Sequence, residues 1–483
     1  MVKKSFRTET DLLGSKDVPS EALYGIQTLR AIQNFHISGR PLSEYPNFIK
    51  GLAYTKKAAA IANEKVGMIT KEQSHAIQAA CDDLLAGKYH DQFPVDMIQG
   101  GAGTSTNMNA NEVIANLALE RMGHERGQYE FCSPNDIVNA SQSTNDAYPC
   151  AIHIAMGLEH LELIPHIEAL IKALDKKAEE FAHVVKMGRT QLQDAVPMTL
   201  GQTFSAFSAA LRHEVRNLQI AAREFLTVNM GATAIGTGIC SLPGYTRAVI
   251  DALRKVTGWD VVLADNLVEA TSATSCMIQY SAAMKRLCIK VNKICNDLRL
   301  MSSGPRCGLN EIHLPERQPG SSIMPGKVNP VIPEVMNQVA YKVIGNDFCI
   351  SIAADNAQLE LNVMEPVMAY TLFESVHLLM NGLDTLRIFC IDGIIANEER
   401  CRQLVEGSIG IVTMLNPIIG YKQSTKIAKE ASETGRGVYE LVLEHNILTK
   451  EQLDFVLKPE NMLEPIDLKE MLNANMEAKK SKK

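Results

Sequence analysis

Seven apolar residues follow Pro197 at steps of three and four: Phe204, Phe207, Leu211, Val215, Leu218, Ala222 and Phe225. That spacing draws one stripe along a helix, and the opposite face is rich in Ala and Ser. It is one of several very long helical patterns between residues 141 and 396. Another begins near Ala147 and runs to about Val185, with a kink expected at Pro165. Further stretches cover about 267–302, 333–354 and 364–391. A helix of about 30 residues spans roughly 45 Å, more than a compact domain of this size needs. Helices that are apolar or small on more than one face must bury them against partners. The pattern therefore predicts an all-α, mainly helical chain whose long-helix bundle is shared between subunits of an oligomer.

The flanking regions read differently. Residues 1 to about 140 mix short helical segments with loops and end in the polar run SPNDIVNASQSTND. From about residue 397 to 483 shorter helical units return, and LTKEQLDFVL carries a capping-box signal, Thr449 three residues before Gln452. The expected organisation is an N-terminal mixed domain (1–140), a central long-helix bundle (141–396) and a small helical C-terminal domain (397–483). No strand alternation, internal repeat or low-complexity segment stands out.

Apolar residues make up 46% and charged residues 21%, as in a soluble globular protein. With a net charge of −7 and no basic stripe interleaved with aromatics, nucleic acid is not an expected partner. The lysine-rich ends (Lys3, Lys4, Lys479, Lys480, Lys482, Lys483) read as solvated tails. MVKKSFRTETDLLG lacks the apolar core of a signal peptide, and no run approaches the roughly 18 apolar residues of a membrane span. The eleven cysteines are scattered, odd in number and without a C-x-x-C pair, which suits free thiols in a reducing cytoplasm. His153 and His160 could share a helix face, but no zinc-binding cluster accompanies them.

Small hydroxyl and amide residues are dense in four clusters: 99–113 (QGGAGTSTNMNANEV), 139–146 (NASQSTND), 188–202 (GRTQLQDAVPMTLGQ) and 320–337 (GSSIMPGKVNPVIPEVMN). None ends like a P-loop or follows a strand as G-x-G-x-x-G, so nucleotide binding is disfavoured. GATAIGTG, residues 231–238, reads as a tight interhelical turn with φ > 0. The last cluster sets two hydroxyls, a lysine and an amide in a Gly/Pro loop before a helix expected from Glu334, with Pro330 and Pro333 at its start. Unpaired N–H groups at a helix N-terminus favour anions, so this loop is suited to gripping carboxylates.

Together, GSSIMPGKVNP, NxSQSTND and GxGTSTNMNxNEV resemble the aspartase/fumarase superfamily, whose members eliminate across a C–N or C–O bond to release fumarate. The resemblance spans the chain, from DLLGSKDVPSEALYGIQTLRA to KPENMLEP. It implies a homotetramer with a core of about twenty helices, five per subunit, and active sites each built from three subunits. Two positions bear on the leaving group. Where class II fumarases read GRTHLQDA this chain has Gln191, and KVNPTQCE is replaced by KVNPVIPEVMNQV. A histidine paired with a glutamate (Glu334 here) can shuttle a proton to departing hydroxide, whereas glutamine can only hydrogen-bond. Ammonia departs without that help, so the resemblance implies reversible conversion of L-aspartate to fumarate and ammonium. The alternatives are a fumarate hydratase of the same superfamily and a non-catalytic structural homologue.

Carried over residue by residue, the resemblance implies Ser321 as general base, working through an aci-carboxylate intermediate. Thr104, Ser143, Thr144 and Ser322 would hold the β-carboxylate, and Thr190, Lys327 and Asn329 the α-carboxylate. Asn145, with Thr104, Ser143 and Gln191, would position the amino group. No cofactor is required for this chemistry. A divalent cation such as Mg²⁺ is expected at most as an activator, and no residues for it can be named.

Overall fold

The computed structural model describes residues 5–458, 461 and 467–480. Lys3, Lys4, Lys482 and Lys483 lie outside the described residues, as do the side chains of Lys479 and Lys480 and most of KPENMLEP. The chain is mostly helical. Five long helices dominate it: α5 (Thr144–Glu180), α6 (Leu200–Ala222), α9 (Ser275–Met301), α10 (Val331–Asp355) and α11 (Glu365–Phe389). They match the long patterns of the sequence with shifts of a few residues, except that 267–302 divides into α8 (Leu267–Ser272) and α9. Before them come α1 (Ile26–Asn34), α2 (Pro46–Val66), α3 (Lys71–Leu85) and α4 (Thr104–Arg121), while α7 (Tyr245–Thr257) lies between α6 and α8. No helix among the described residues is long and apolar enough to cross a membrane.

Strands correct the sequence reading, which expected none. β1 (Phe6–Asp11) pairs antiparallel with β2 (Gly14–Pro19), and β3 (Val185–Thr190) with β4 (Gln193–Thr199). Both hairpins are short, and their polar residues mask any alternation. Thr199 then opens α6 as Gln202 returns the hydrogen bond, Thr199 Oγ1 accepting from Gln202 N at 3.0 Å.

Packing divides the chain into two compact units. One holds residues 1–166, 214–289 and 339–381; the other holds 167–213, 290–338 and 382–483. Each long helix contributes residues to both. In the first unit, Ala58, Ala59 and Ala62 of α2 pack with Ala147, Cys150 and Ile154 of α5 and Tyr245, Val249 and Leu253 of α7. Small residues let the helices approach closely: a Cβ on Gly51 would stand 2.2 Å from the carbonyl oxygen of Ala151. In the second, Met187 of β3 joins Leu415, Ile427, Leu441, Leu453 and Leu468 from the C-terminal helices. The Thr449–Gln452 capping box forms as the sequence indicates. All eleven cysteines are free, and Cys240, Cys307 and Cys349 are the exposed ones.

Candidate functional site

In the first unit the polar clusters 99–113 and 139–146 come together. The run TSTNMNANEV opens a largely buried helix, α4, whose amide donors reach carbonyls outside it, while the oxygens of Asn109 and Asn111 have no partner among the described residues. Asn109 Nδ2 donates to Gln92 O at 3.0 Å and Asn116 Nδ2 to Leu23 O at 2.7 Å. Gly101, Ala102 and Gly103 all have positive φ before Thr104 starts the helix with its side chain exposed. Gly103 is required twice over: its φ is 91°, and a Cβ there would lie 2.6 Å from the Tyr148 ring.

α5 starts at Thr144. Ser143 Oγ accepts from Asn145 N at 3.2 Å, and Asp146 Oδ1 accepts from Ser143 N at 2.9 Å, a reciprocal cap. The other oxygen of Asp146 accepts from Gly231 N and Thr233 N, at 3.1 and 2.9 Å. GATAIGTG is thus the expected tight turn, and it braces the start of α5. Burial pushes the Asp146 carboxyl up to about 6, while the N–H groups of Ser143, Thr233 and Gly231 pull it down. Asn145 Nδ2 donates to Ala234 O at 2.8 Å, and its backbone carbonyl accepts from Asn229 Nδ2 at 3.0 Å. The amide is held so that its Oδ1, which has no partner among the described residues, can accept from a cation.

Beneath these residues stands Lys56, fully buried on α2. Its Nζ donates to Asn107 Oδ1 (2.7 Å), Gln142 Oε1 (2.9 Å) and Asn139 Oδ1 (3.0 Å). Asn107 in turn donates to Thr144 Oγ1 at 3.3 Å, linking the two clusters. Burial drags the Lys56 ammonium down to about 7, and the Asp146 carboxylate opposes that shift. The sequence analysis missed Lys56. The available signal was a lysine on the helix stripe Leu52, Ala59, Asn63, in a helix whose small residues indicate close packing.

Glu365 opens α11 with 3% exposure, and its carboxyl has no partner among the described residues. Burial pushes it up to about 8. The folded chain therefore holds a proton that the unfolded chain releases near the usual glutamate value of about 4.3, so stability falls as pH rises from about 4.5 through about 8. Glu365→Gln is expected to melt with wild type at about pH 5 and above it at about pH 8.5. Equal melting temperatures at both pH values would show that Glu365 is compensated.

The second unit carries the clusters 188–202 and 320–337. Thr190 pairs with Gln193 at the end of the β3–β4 hairpin, so the turn is Gln191–Leu192, with φ of 55° and 62°. Both central residues are left-handed, the geometry that Asn-Gly adopts readily and side chains such as these resist. Thr190, Gln191 and Leu192 are exposed. In the other cluster, Pro319 bridges Val328, Gly320 N donates to Lys327 O at 2.6 Å, and Asn329 Nδ2 donates to Gly320 O at 2.8 Å. The half-buried Ser321 presents its Oγ to two backbone donors, Met324 N at 2.9 Å and Ile323 N at 3.1 Å. Ser322 and Lys327 are exposed, and the Lys327 ammonium has no partner among the described residues. Helix α10 follows at Val331, three residues before the expected start, with Glu334 in its first turn.

The structure thus groups Thr104, Ser143, Thr144 and Asn145 in one unit, and Thr190, Gln191, Ser321, Ser322, Lys327 and Asn329 in the other. His153 and His160 are packing residues: one contacts Cys276 Sγ at 3.2 Å, the other Tyr280 Oη at 3.1 Å.

Comparison with known proteins bears on the family and the fold. A family model described as Lyase matches residues 14–345, and one described as Fumarase C C-terminus matches residues 411–464. An aspartate ammonia-lyase from Pseudomonas canavaninivorans is 57% identical over 95% of this chain and 98% of its own. The aspartate ammonia-lyase of Helicobacter pylori is 56% identical over 95% and 98% of the two chains. A fumarate lyase:delta crystallin structure from Brucella melitensis, bound to cobalt, superposes with a TM-score of 0.93 at 48% identity, covering 95% of this chain and all of that one.

Proposed function

The chain belongs to the aspartase/fumarase family of lyases, and from that premise we propose how it converts L-aspartate to fumarate and ammonia. The observation that carries the mechanism is the pair of backbone N–H groups on Ser321 Oγ. A serine hydroxyl is no base at neutral pH, but donors aimed at its oxygen favour the alkoxide. Ser321 then takes the C3 proton of aspartate. The electron pair left on C3 moves into the β-carboxylate, giving an aci-carboxylate dianion. As it collapses, the C2–C3 double bond forms, the C2–N bond breaks, and ammonia departs with the bonding pair.

Charge accumulates on the β-carboxylate, and donors already in place stabilise it most effectively. Thr104, Ser143, Thr144 and Ser322 take that role in this scheme. Lys327, Thr190 and Asn329 grip the α-carboxylate. Asn145, whose Nδ2 is committed to Ala234, turns its Oδ1 toward the amino group. Gln191 offers that group hydrogen bonds and no titrating proton.

No group of three or more His, Cys, Asp or Glu among the described residues could hold a metal ion, and no step here passes through one. A divalent cation such as Mg²⁺ enters this reading only as an activator. A homotetramer with sites shared by three subunits is supported by apolar side chains left exposed along the long helices, among them Phe348 at 68% and Ile220 at 57%. Free thiols throughout support a cytoplasmic setting.

The test is the ultraviolet absorbance of fumarate in parallel reactions. A signal with L-aspartate and none with L-malate is the expected result. A signal with malate alone would make the protein a hydratase and overturn the role given to Gln191.

A further inference from the structure

The hairpin that bears Thr190 has a second face. Lys186 and Arg189 are three residues apart and would point to opposite sides of a regular strand. A register shift between Met187 and Arg189 puts both side chains on Glu311, which is fully buried. Arg189 Nη1 lies 2.7 Å from Glu311 Oε1, and Lys186 Nζ lies 3.3 Å from Oε2. That second contact is an ion pair without a hydrogen bond, since Oε2 has no hydrogen-bond partner among the described residues. Lys186 donates only to Met187 O, at 3.2 Å, so this 94%-buried ammonium keeps N–H groups to offer elsewhere.

Both cations line a half-open cavity of about 300 Å³ against α6 and α9, whose wall includes Leu192, Phe207 and Met301. A third cation, Lys293, lines it too, with its Nζ 5.0 Å from the centre of the Phe207 ring and paired to Asp297 one turn on. Lys186, Arg189 and Lys293 thus face two carboxylates, Glu311 and Asp297. One positive charge is left over against largely apolar walls, where an anion is the natural complement. The volume, at the small end of the range for ligand pockets, accommodates a four-carbon acid.

We propose that this cavity is a second carboxylate site, separate from the one assigned to Lys327 and Asn329, and that it takes a small dicarboxylate of the reaction's product class. The choice of a dicarboxylate rests on the proposed function; the anion site itself rests on the charges and the cavity. Thr190, next to Arg189 on the strand, is not among the residues that line the cavity. Leu192 lines the cavity and shares the hairpin turn with Gln191.

Succinate, which has no amino group to lose, is the probe, and calorimetric titration is the measurement. The proteins are wild type, Lys327→Met, Lys293→Met and the Lys293→Met/Lys327→Met pair. Lys293 is exposed and outside the catalytic set, so Lys293→Met should fold and turn over aspartate as wild type does. Wild type is expected to show two classes of binding. Lys327→Met should keep the cavity class, and the double variant should bind at least about tenfold more weakly than Lys327→Met, the loss of a charge-assisted contact. Absence of succinate binding to Lys327→Met, or equal affinity in that variant and the double, would overturn the proposal. If Lys327→Met leaves both classes intact while Lys293→Met removes one, the cavity site stands and the role of Lys327 falls.

Discussion

Replacing Ser321 by alanine is expected to lower aspartate turnover about a thousandfold while leaving KM close to its original value. The size follows from loss of the group that removes the proton, a contribution of roughly 10²–10⁴ in positioned acid–base catalysis. KM should hold because the carboxylates are assigned to other residues. The loop should hold as well, since the Ile323 and Met324 N–H groups that Ser321 now satisfies are exposed and can turn to water. Two readouts separate the base from a mere loop cap. Initial rates give kcat and KM, and exchange of the C3 hydrogen with solvent deuterium reports proton removal directly. Exchange should vanish in Ser321→Ala and persist in Ser322→Ala. A loss of less than about tenfold, with exchange intact, would assign the base elsewhere.

The second large effect is expected at a residue assigned no substrate contact, at Lys56→Met. Asn139 Oδ1 would keep its bonds from Asn107 and Asn111, but Asn107 Oδ1 and Gln142 Oε1 would each lose their only donor among the described residues. Two stranded acceptors, Asn107 buried and Gln142 half-buried, cost about 2 kcal/mol together, partly offset because methionine carries no buried charge. Asn107 would then be free to shift, and Thr144 Oγ1 with it. Displacing a positioning group by about 1 Å can cost about a hundredfold in rate. Urea denaturation should show a lower midpoint, and kcat/KM should fall by about that factor under conditions where the variant is fully folded. Wild-type kcat/KM in folded Lys56→Met would show that the amide network is scaffolding alone.

The long helices were legible because their apolar spacing is set by burial, which acts on every turn. The polar clusters were legible through their composition and, more sharply, through resemblance to a family. Lys56 and Glu311 were not: the helix stripe around Lys56 hints at packing, but the partners that settle whether either charge is buried are 51 and 122 residues away. α4 shows the same limit from the other side. Its asparagines look like loop residues, yet they are buried because Leu23, Gln92 and Asn139 supply their partners. The β3–β4 hairpin stayed hidden because its bulge breaks the two-residue alternation that would have announced it.

The tip of that hairpin also has a practical side. Gln191 and Leu192 sit where glycine or asparagine would relieve the backbone, so a screen ranking variants by thermal resistance would favour replacing them. Such a screen would remove the side chain assigned to the amino group and part of the cavity wall in the same step. An engineering campaign on this lyase should therefore hold positions 191 and 192 fixed and seek its gains in surface turns remote from the hairpin.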